Sequence, residues 1–201
     1  MALDRRVVLD LESKYTFDEV GGRGNTHKLG VTVAVVYCYA DQVFRVFEEH
    51  ELGQLENLLI DASLVIGFNH RKFDMPVMQP YMSTDLSTLP MLDLMESLQE
   101  TLGYRIGLDN VARATLKTGK TGHGLDAIEY YRSGRMDELK AYCQEDVKIT
   151  RDLYEFGLAN GHVHIGSKDG RQTKKVQINW LNPHISSVLI SSSAEAQYRL
   201  F

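Results

Sequence analysis

Two hydrophobic rhythms alternate along this chain. RRVVLDLES (residues 5–13) is an apolar run closed by acids and predicts a buried strand. The polar, glycine-rich KYTFDEVGGRGNTHKLG (14–30) predicts a loop. VTVAVVYCYA (31–40) and QVFRVFE (42–48) are β-branched and aromatic around Ala40 and Asp41, the pattern of a hairpin. Leu52, Leu55, Leu58 and Leu59 make a helical stripe in ELGQLENLLIDA (51–62), and SLVIGFN (63–69) is a second buried strand. KFDMPVMQPYM (72–82) begins a short helix interrupted by prolines. LPMLDLMESLQETLG (89–103) and LDNVARATL (108–116) read as helices, with room for a strand at the start of the first; LKTGKTGHG (116–124) reads as a loop. LDAIEYYRSG (125–134) and RMDELKAYCQEDVKITRDLYEFGLANG (135–161) are helices that end in glycine. HVHIGSKDGRQTKKVQINW (162–180) alternates around the KDGR turn and predicts a terminal hairpin, followed by a serine-rich tail (186–201).

Strands joined by short turns pair antiparallel, and strands separated by helices pair parallel. The order therefore predicts an α/β fold with a mixed sheet and helices on both faces. The chain's 201 residues fit one such domain, or a domain with an appendage.

Composition narrows the setting. No run of about 18 apolar residues occurs, so no span of a membrane is expected. MALDRRVVLDLESK puts charges where an export signal needs an apolar stretch. Cys38 and Cys143 lie far apart in apolar surroundings, which suits a reducing cytoplasm better than a disulfide framework. The net charge is −5, whereas proteins that grip nucleic acid over a long footprint are usually basic. Any nucleic-acid contact should therefore be short or bridged by cations.

Acids at the ends of elements carry the candidate chemistry. Asp10 and Glu12 stand two apart on the first strand and so point to one side. Paired carboxylates repel unless a cation sits between them, and Mg²⁺ or Mn²⁺ prefers such oxygens. In VIGFNHRKFDMP an apolar strand runs into Gly67 and Asn69, and Asp74 opens a helix. In AYCQEDVKITRDLY, Tyr142 and Asp146 are four apart and share a helical face, although aspartate is a poor mid-helix residue. Taken singly, each site also fits an ordinary role. Asp10 and Glu12 fit a solvated strand end, Asp74 an acid favoured by a helix dipole, and Tyr142 a core ring beside a solvated Asp146.

Together the sites resemble a known set. D-x-E, G-x-N-x-x-x-[FL]-D and Y-x-x-x-D are the three exonuclease motifs of the DEDD superfamily, standing here as DLE (10–12), GFNHRKFD (67–74) and YCQED (142–146). With Tyr142 four before Asp146 and alanine at 141, the chain resembles the tyrosine-type branch, DEDDy, and not the histidine type. Over residues 5–160 it is similar to bacterial ribonuclease H-like exonuclease domains, including those of YprB-like proteins. The resemblance implies a ribonuclease H-like mixed five-stranded sheet whose second strand is antiparallel. It implies an exonuclease domain over 1–160, with the hairpin and tail of 161–201 packed on it. It also implies two divalent cations, Mg²⁺ or Mn²⁺. Asp10, Glu12 and Asp146 would hold one, Asp10 and Asp74 the other, and Tyr142 would hydrogen-bond the attacking water. The implied activity is stepwise removal of nucleotides from a free 3′ end, single strands preferred. The Leu11 backbone would meet the terminal sugar and Asn69 the adjoining backbone. A helicase or repair partner fits such an enzyme without being required by it.

The chemistry needs these residue types. A phosphodiester is anionic and repels hydroxide, so cations that stabilise the attacking and leaving oxygens are needed, and carboxylates hold them. A tyrosine phenol, with a reference pKa of about 10, is neutral at pH 7 and suited to orienting a water.

Other signals compete. ATLKTGKT (114–121) fits a relaxed phosphate loop, but that motif needs a buried strand before it, where LDNVARATL predicts a helix. Lys120, with Lys117 and His123, is a candidate contact to substrate phosphate, or part of a solvated loop. The early loop either guides a nucleic-acid end or is plain surface. His162 and His164 alternate on a strand without a third ligand. A non-catalytic nucleic-acid-binding module and a metal-dependent endonuclease of the same fold are the alternatives. All four acids and the tyrosine are present, which favours an enzyme.

Overall fold

A computed structural model of the chain describes residues 3–119, 124–167 and 172–180. The KDGR turn, most of the GKTGHG segment with Lys120 and His123, and the serine-rich tail lie outside the described residues.

The first strand, β1 (Arg6–Ser13), leads through the early loop, which holds a 3-10 turn at Arg23–Lys28, to β2 (Val31–Cys38) and β3 (Val43–Glu48). Helix α1 (Leu52–Asp61) then returns the chain to β4 (Leu64–Gly67). A short α2 (Asp74–Met78) precedes β5 (Met91–Asp93) and α3 (Leu94–Leu102). Three helices follow: α4 (Leu108–Leu116), α5 (Gly124–Arg132) and the long α6 (Met136–Asn160). The chain closes on a hairpin of β6 (His162–Gly166) and β7 (Thr173–Gln177).

The sheet order is β3-β2-β1-β4-β5, with β2 antiparallel to both neighbours and β1, β4 and β5 parallel. This is the mixed five-stranded sheet that the sequence predicts. Strand periodicity sorts β1 between two cores. Val7, Leu9 and Leu11 pack with α1 and α2 residues such as Leu55, Leu59 and Met78. Val8 joins Leu139, Cys143 and Val147 of α6 on the other face. Asp10 and Glu12 share the parity of Val8, so they point toward α6. Each fully buried leucine or valine in these layers contributes roughly 1.5–3 kcal/mol.

Helix α6 begins with Asp137 and Glu138, acids that complement the helix dipole, and ends at Gly161 with φ +68°. The hairpin is bolted to the helical layer. Thr115 of α4 donates its hydroxyl to the His164 carbonyl and accepts from the His164 amide. Asn110 exchanges a similar pair of bonds with Gly166. Side chains of α4 thus satisfy the outer edge of β6, as a neighbouring strand would. Beyond β7, Trp180 stacks on Tyr154 and donates to the Ser97 hydroxyl at 3.0 Å. A Cβ at Gly157 would meet the Trp180 ring at 2.3 Å, so the indole needs a glycine there.

Candidate active site

The site begins where β1 outruns β4. Their pairing ends at Val8 and Ile66, two residues before Asp10. Past that point β4 turns away at Gly67, and a crevice opens at the carboxyl ends of the strands, where the sheet order reverses. Ligands favour this position in open α/β sheets. The Leu11 amide there has no β4 carbonyl to meet, and Asp74 takes that role: Leu11 N–H donates to Asp74 Oδ1 at 3.1 Å. One bond thus ties the first acidic motif to the second.

Helix α6 supplies the third. Tyr142 and Asp146 lie one turn apart and face the same crevice, with 8% and 3% of their surface exposed. Asp10, Glu12, Asp74, Tyr142 and Asp146 all line one cleft of about 410 Å³, with Leu11 and Asn69 on its wall. Lys120 lies outside the described residues. Glu12 is 9% exposed and Asp74 2%, so the acids sit at the bottom of the cleft and not on its rim.

Asp10, Glu12 and Cys143 bring ligand atoms within 4.8 Å of one another. Cys143 is not a convincing ligand for a hard cation. Its thiol lies 3.5 Å from the Asp10 carbonyl oxygen, and its pKa is pushed well above the ordinary range by complete burial and by Asp10, Glu12, Asp146 and Asp74. It packs beneath Asp10 as a protonated thiol. The donors that remain are carboxylate oxygens converging on one cleft, a set that fits Mg²⁺ or Mn²⁺. The Tyr142 phenol is also held above its ordinary pKa, first by burial and then by Asp146, Glu12 and Asp10. It is therefore a neutral hydrogen-bonding group across the neutral pH range.

The cleft is also lined by aromatic rings. Tyr15 and Phe17 of the early loop share it with Phe68 and Phe73, and Phe17 meets Phe73 edge-on at 6.0 Å. Arg132 of α5 pairs with Glu19 of that loop, and Arg23 lies over the Phe17 ring at 5.0 Å. The early loop is thus a wall of the cleft.

The segment between β4 and α2 is shaped by residues outside the predicted set. Asp93, 3% exposed at the end of β5, accepts the amides of Asn69 at 2.8 Å, Arg71 at 3.1 Å, Met95 at 3.0 Å and Glu96 at 3.2 Å. Burial pushes its pKa up, but His70 and the amides of Asn69 and Arg71 outweigh that and hold it below the ordinary range. His70 Nδ1 stands 3.4 Å from Asp93 Oδ2 without hydrogen-bond geometry. A Cβ at Gly67 would meet His70 Cγ at 2.7 Å, so the glycine of GFN makes room for that ring. Asn69 itself adopts φ +68°, and its side-chain oxygen accepts from Arg105 at 2.6 Å. The sequence carried a sign of Asp93: D-L-M-E, an acid three before a glutamate at a helix start, is a capping signature. Nothing in the sequence pattern pointed to Arg105. Asp93→Ala should leave four amides without their acceptor and lower stability by at least about 3 kcal/mol. A urea titration checks this; an unchanged midpoint would contradict the latch.

The phosphate-loop reading of ATLKTGKT loses its structural context, because α4 and not a strand precedes the glycines. Among the described residues, no helix is long and apolar enough to cross a membrane.

Residues 25–156, well over half of the chain, match the family model described as the RNase_H superfamily. The chain belongs to the RNase_H superfamily. The matched stretch of this RNase_H member contains Asp74, Tyr142 and Asp146 and begins after the strand bearing Asp10 and Glu12. No curated protein matches the sequence. Among solved structures it is similar to the family B DNA polymerase of the hyperthermophilic archaeon Pyrobaculum calidifontis, at 18% identity and a TM-score of 0.57. That likeness covers 76% of this chain but 24% of the polymerase, and at such identity it shows a shared fold.

Proposed function

We propose that the chain is a divalent-cation-dependent 3′–5′ exonuclease of the tyrosine-type DEDD branch, akin to YprB-like ribonuclease H-like domains. The observation that carries this reading is the convergence of three separate motifs, through Asp10, Glu12, Asp74, Tyr142 and Asp146, on one cleft. Residues 1–160 would form the exonuclease domain and 161–201 an appendage packed on it. Two buried, free cysteines suit a cytoplasmic setting.

In this reading the four carboxylates hold two cations, Mg²⁺ or Mn²⁺, which when bound offset phosphate charge and make water a better nucleophile. The chain's own groups do the rest. Asp74 fixes the Leu11 backbone, so the floor under the scissile phosphate is rigid. Tyr142, protonated, aims the attacking water by a hydrogen bond. The aromatic rings accept the terminal base by stacking, which tolerates any base. Asn69, held by Arg105, meets the adjoining backbone. A helicase or repair partner remains compatible with this role.

The test is a panel of 5′-labelled single- and double-stranded DNA and RNA with Mg²⁺ or Mn²⁺. Single strands should give a ladder of successively shorter products, and a strand with a bulky 3′ block should survive. Equal cutting of blocked and free strands would contradict the reading.

A further inference from the structure

The β6–β7 hairpin carries a feature that the cleft does not use. The chain is acidic overall, yet residues 162–177 contain Lys168, Arg171, Lys174 and Lys175 against the single acid Asp169. Val163, Ile165 and Val176 bury one face of the hairpin, which leaves His162, His164 and Lys175 on the other. His164 pairs across the strands with the exposed Lys175, while Lys174 pairs with Ile165 on the opposite face. Lys117 and Lys175 are the lysines whose charge acts on His164. Beside them stands an aromatic ladder, with Phe156 meeting His162 edge-on at 5.8 Å and His162 meeting His164 at 5.1 Å. The two reciprocal bond pairs from Asn110 and Thr115 hold this face rigidly to the domain.

We infer that this face is a second docking surface for single-stranded nucleic acid, binding backbone phosphates through Lys117 and Lys175 and bases through the Phe156–His162–His164 rings. Cations beside stackable rings are the combination that holds single strands without sequence preference, and rings add nothing to the binding of an acidic peptide by lysines. The position suits a strand that also enters the cleft. From Tyr142 to Asn160 helix α6 advances roughly 27 Å, and β6 begins two residues later at His162. The face therefore lies several nucleotides from the acids, and a short oligonucleotide in the cleft would not reach it.

The inference goes beyond the nuclease reading and is tested without cleavage. Fluorescence anisotropy in excess chelator measures binding of a labelled single strand of about 16 nucleotides, the upper end of the length such surfaces accommodate. The double variant Lys117→Ala/Lys175→Ala should bind about tenfold more weakly, with a salt slope reduced by about 1.4, the change expected when two single-strand phosphate contacts are lost. Lys117→Arg/Lys175→Arg should restore binding. Both positions are exposed, so melting temperatures should match wild type. On active protein, KM should rise for the long strand and stay unchanged for one of about 4 nucleotides. Unaltered affinity and slope in a folded double variant would overturn the inference. So would an equal loss on short and long strands, or wild-type binding to polyglutamate but not to nucleic acid. Hairpin-dependent binding without any cleavage would support this surface while refuting the nuclease reading; cleavage with hairpin-independent binding would do the reverse.

Discussion

Asp146→Ala should reduce cleavage at least about 10³-fold, the scale of losing one member of a catalytic unit. Asp146 is 3% exposed on α6, at the bottom of a cleft that also holds Asp10, Glu12 and Asp74. Removing one carboxylate from a like-charged group relieves repulsion, so the variant should fold. Asp10→Ala should behave in the same way. Asp74→Ala should also lower stability. Its Oδ1 accepts the buried Leu11 amide, and an orphaned amide costs about 1–3 kcal/mol, so activity and stability should fall together. Thermal melting beside the cleavage rate separates these cases. Calorimetric Mn²⁺ titration should show weakened binding in all three variants; full activity in any of them would remove that acid from the site.

Tyr142→Phe carries the second large effect. The phenol is protonated at neutral pH because burial and the neighbouring carboxylates disfavour its anion. In the proposed mechanism its contribution is one oriented hydrogen bond, and losing a single positioned group at a reacting centre costs roughly 10–10³-fold. The ring remains to pack against Tyr130, 6.4 Å away, so the helix should not shift. Single-turnover rates should drop while Mn²⁺ affinity stays at the wild-type value. Lost metal affinity would make Tyr142 structural.

Much of this was legible in the sequence because the elements bearing the acids have strong local signals. β1 carries an apolar run closed by acids, β4 is apolar throughout, and α6 has dipole-matched acids at one end and glycine at the other. The antiparallel pairing of β2 with β3 followed from a short turn, and α4 from its own pattern, which also removed the phosphate-loop reading. β5 was only hinted at, because three residues (Met91–Asp93) give no periodicity to read. What stayed hidden depends on contacts between distant segments. Asp93 reaches back to Asn69 and Arg71, Arg105 to Asn69, and Asp74 to Leu11. The need for Gly67 is set by His70 folding over it, a matter of packing and not of propensity. The aromatic wall was hidden for the same reason: Tyr15 and Phe17 sit in a loop whose composition says only that it is a loop.

The most direct test places a 5′-labelled linear single strand and a closed circular single strand in one tube, with Mn²⁺ or with excess chelator, and follows both by gel. The expected result is a descending ladder from the linear strand with Mn²⁺, an intact circle, and no change in either with chelator. Cutting of the circle would replace the exonuclease with an endonuclease on the same fold, and shortening in chelator would refute the role given to Asp10, Glu12, Asp74 and Asp146.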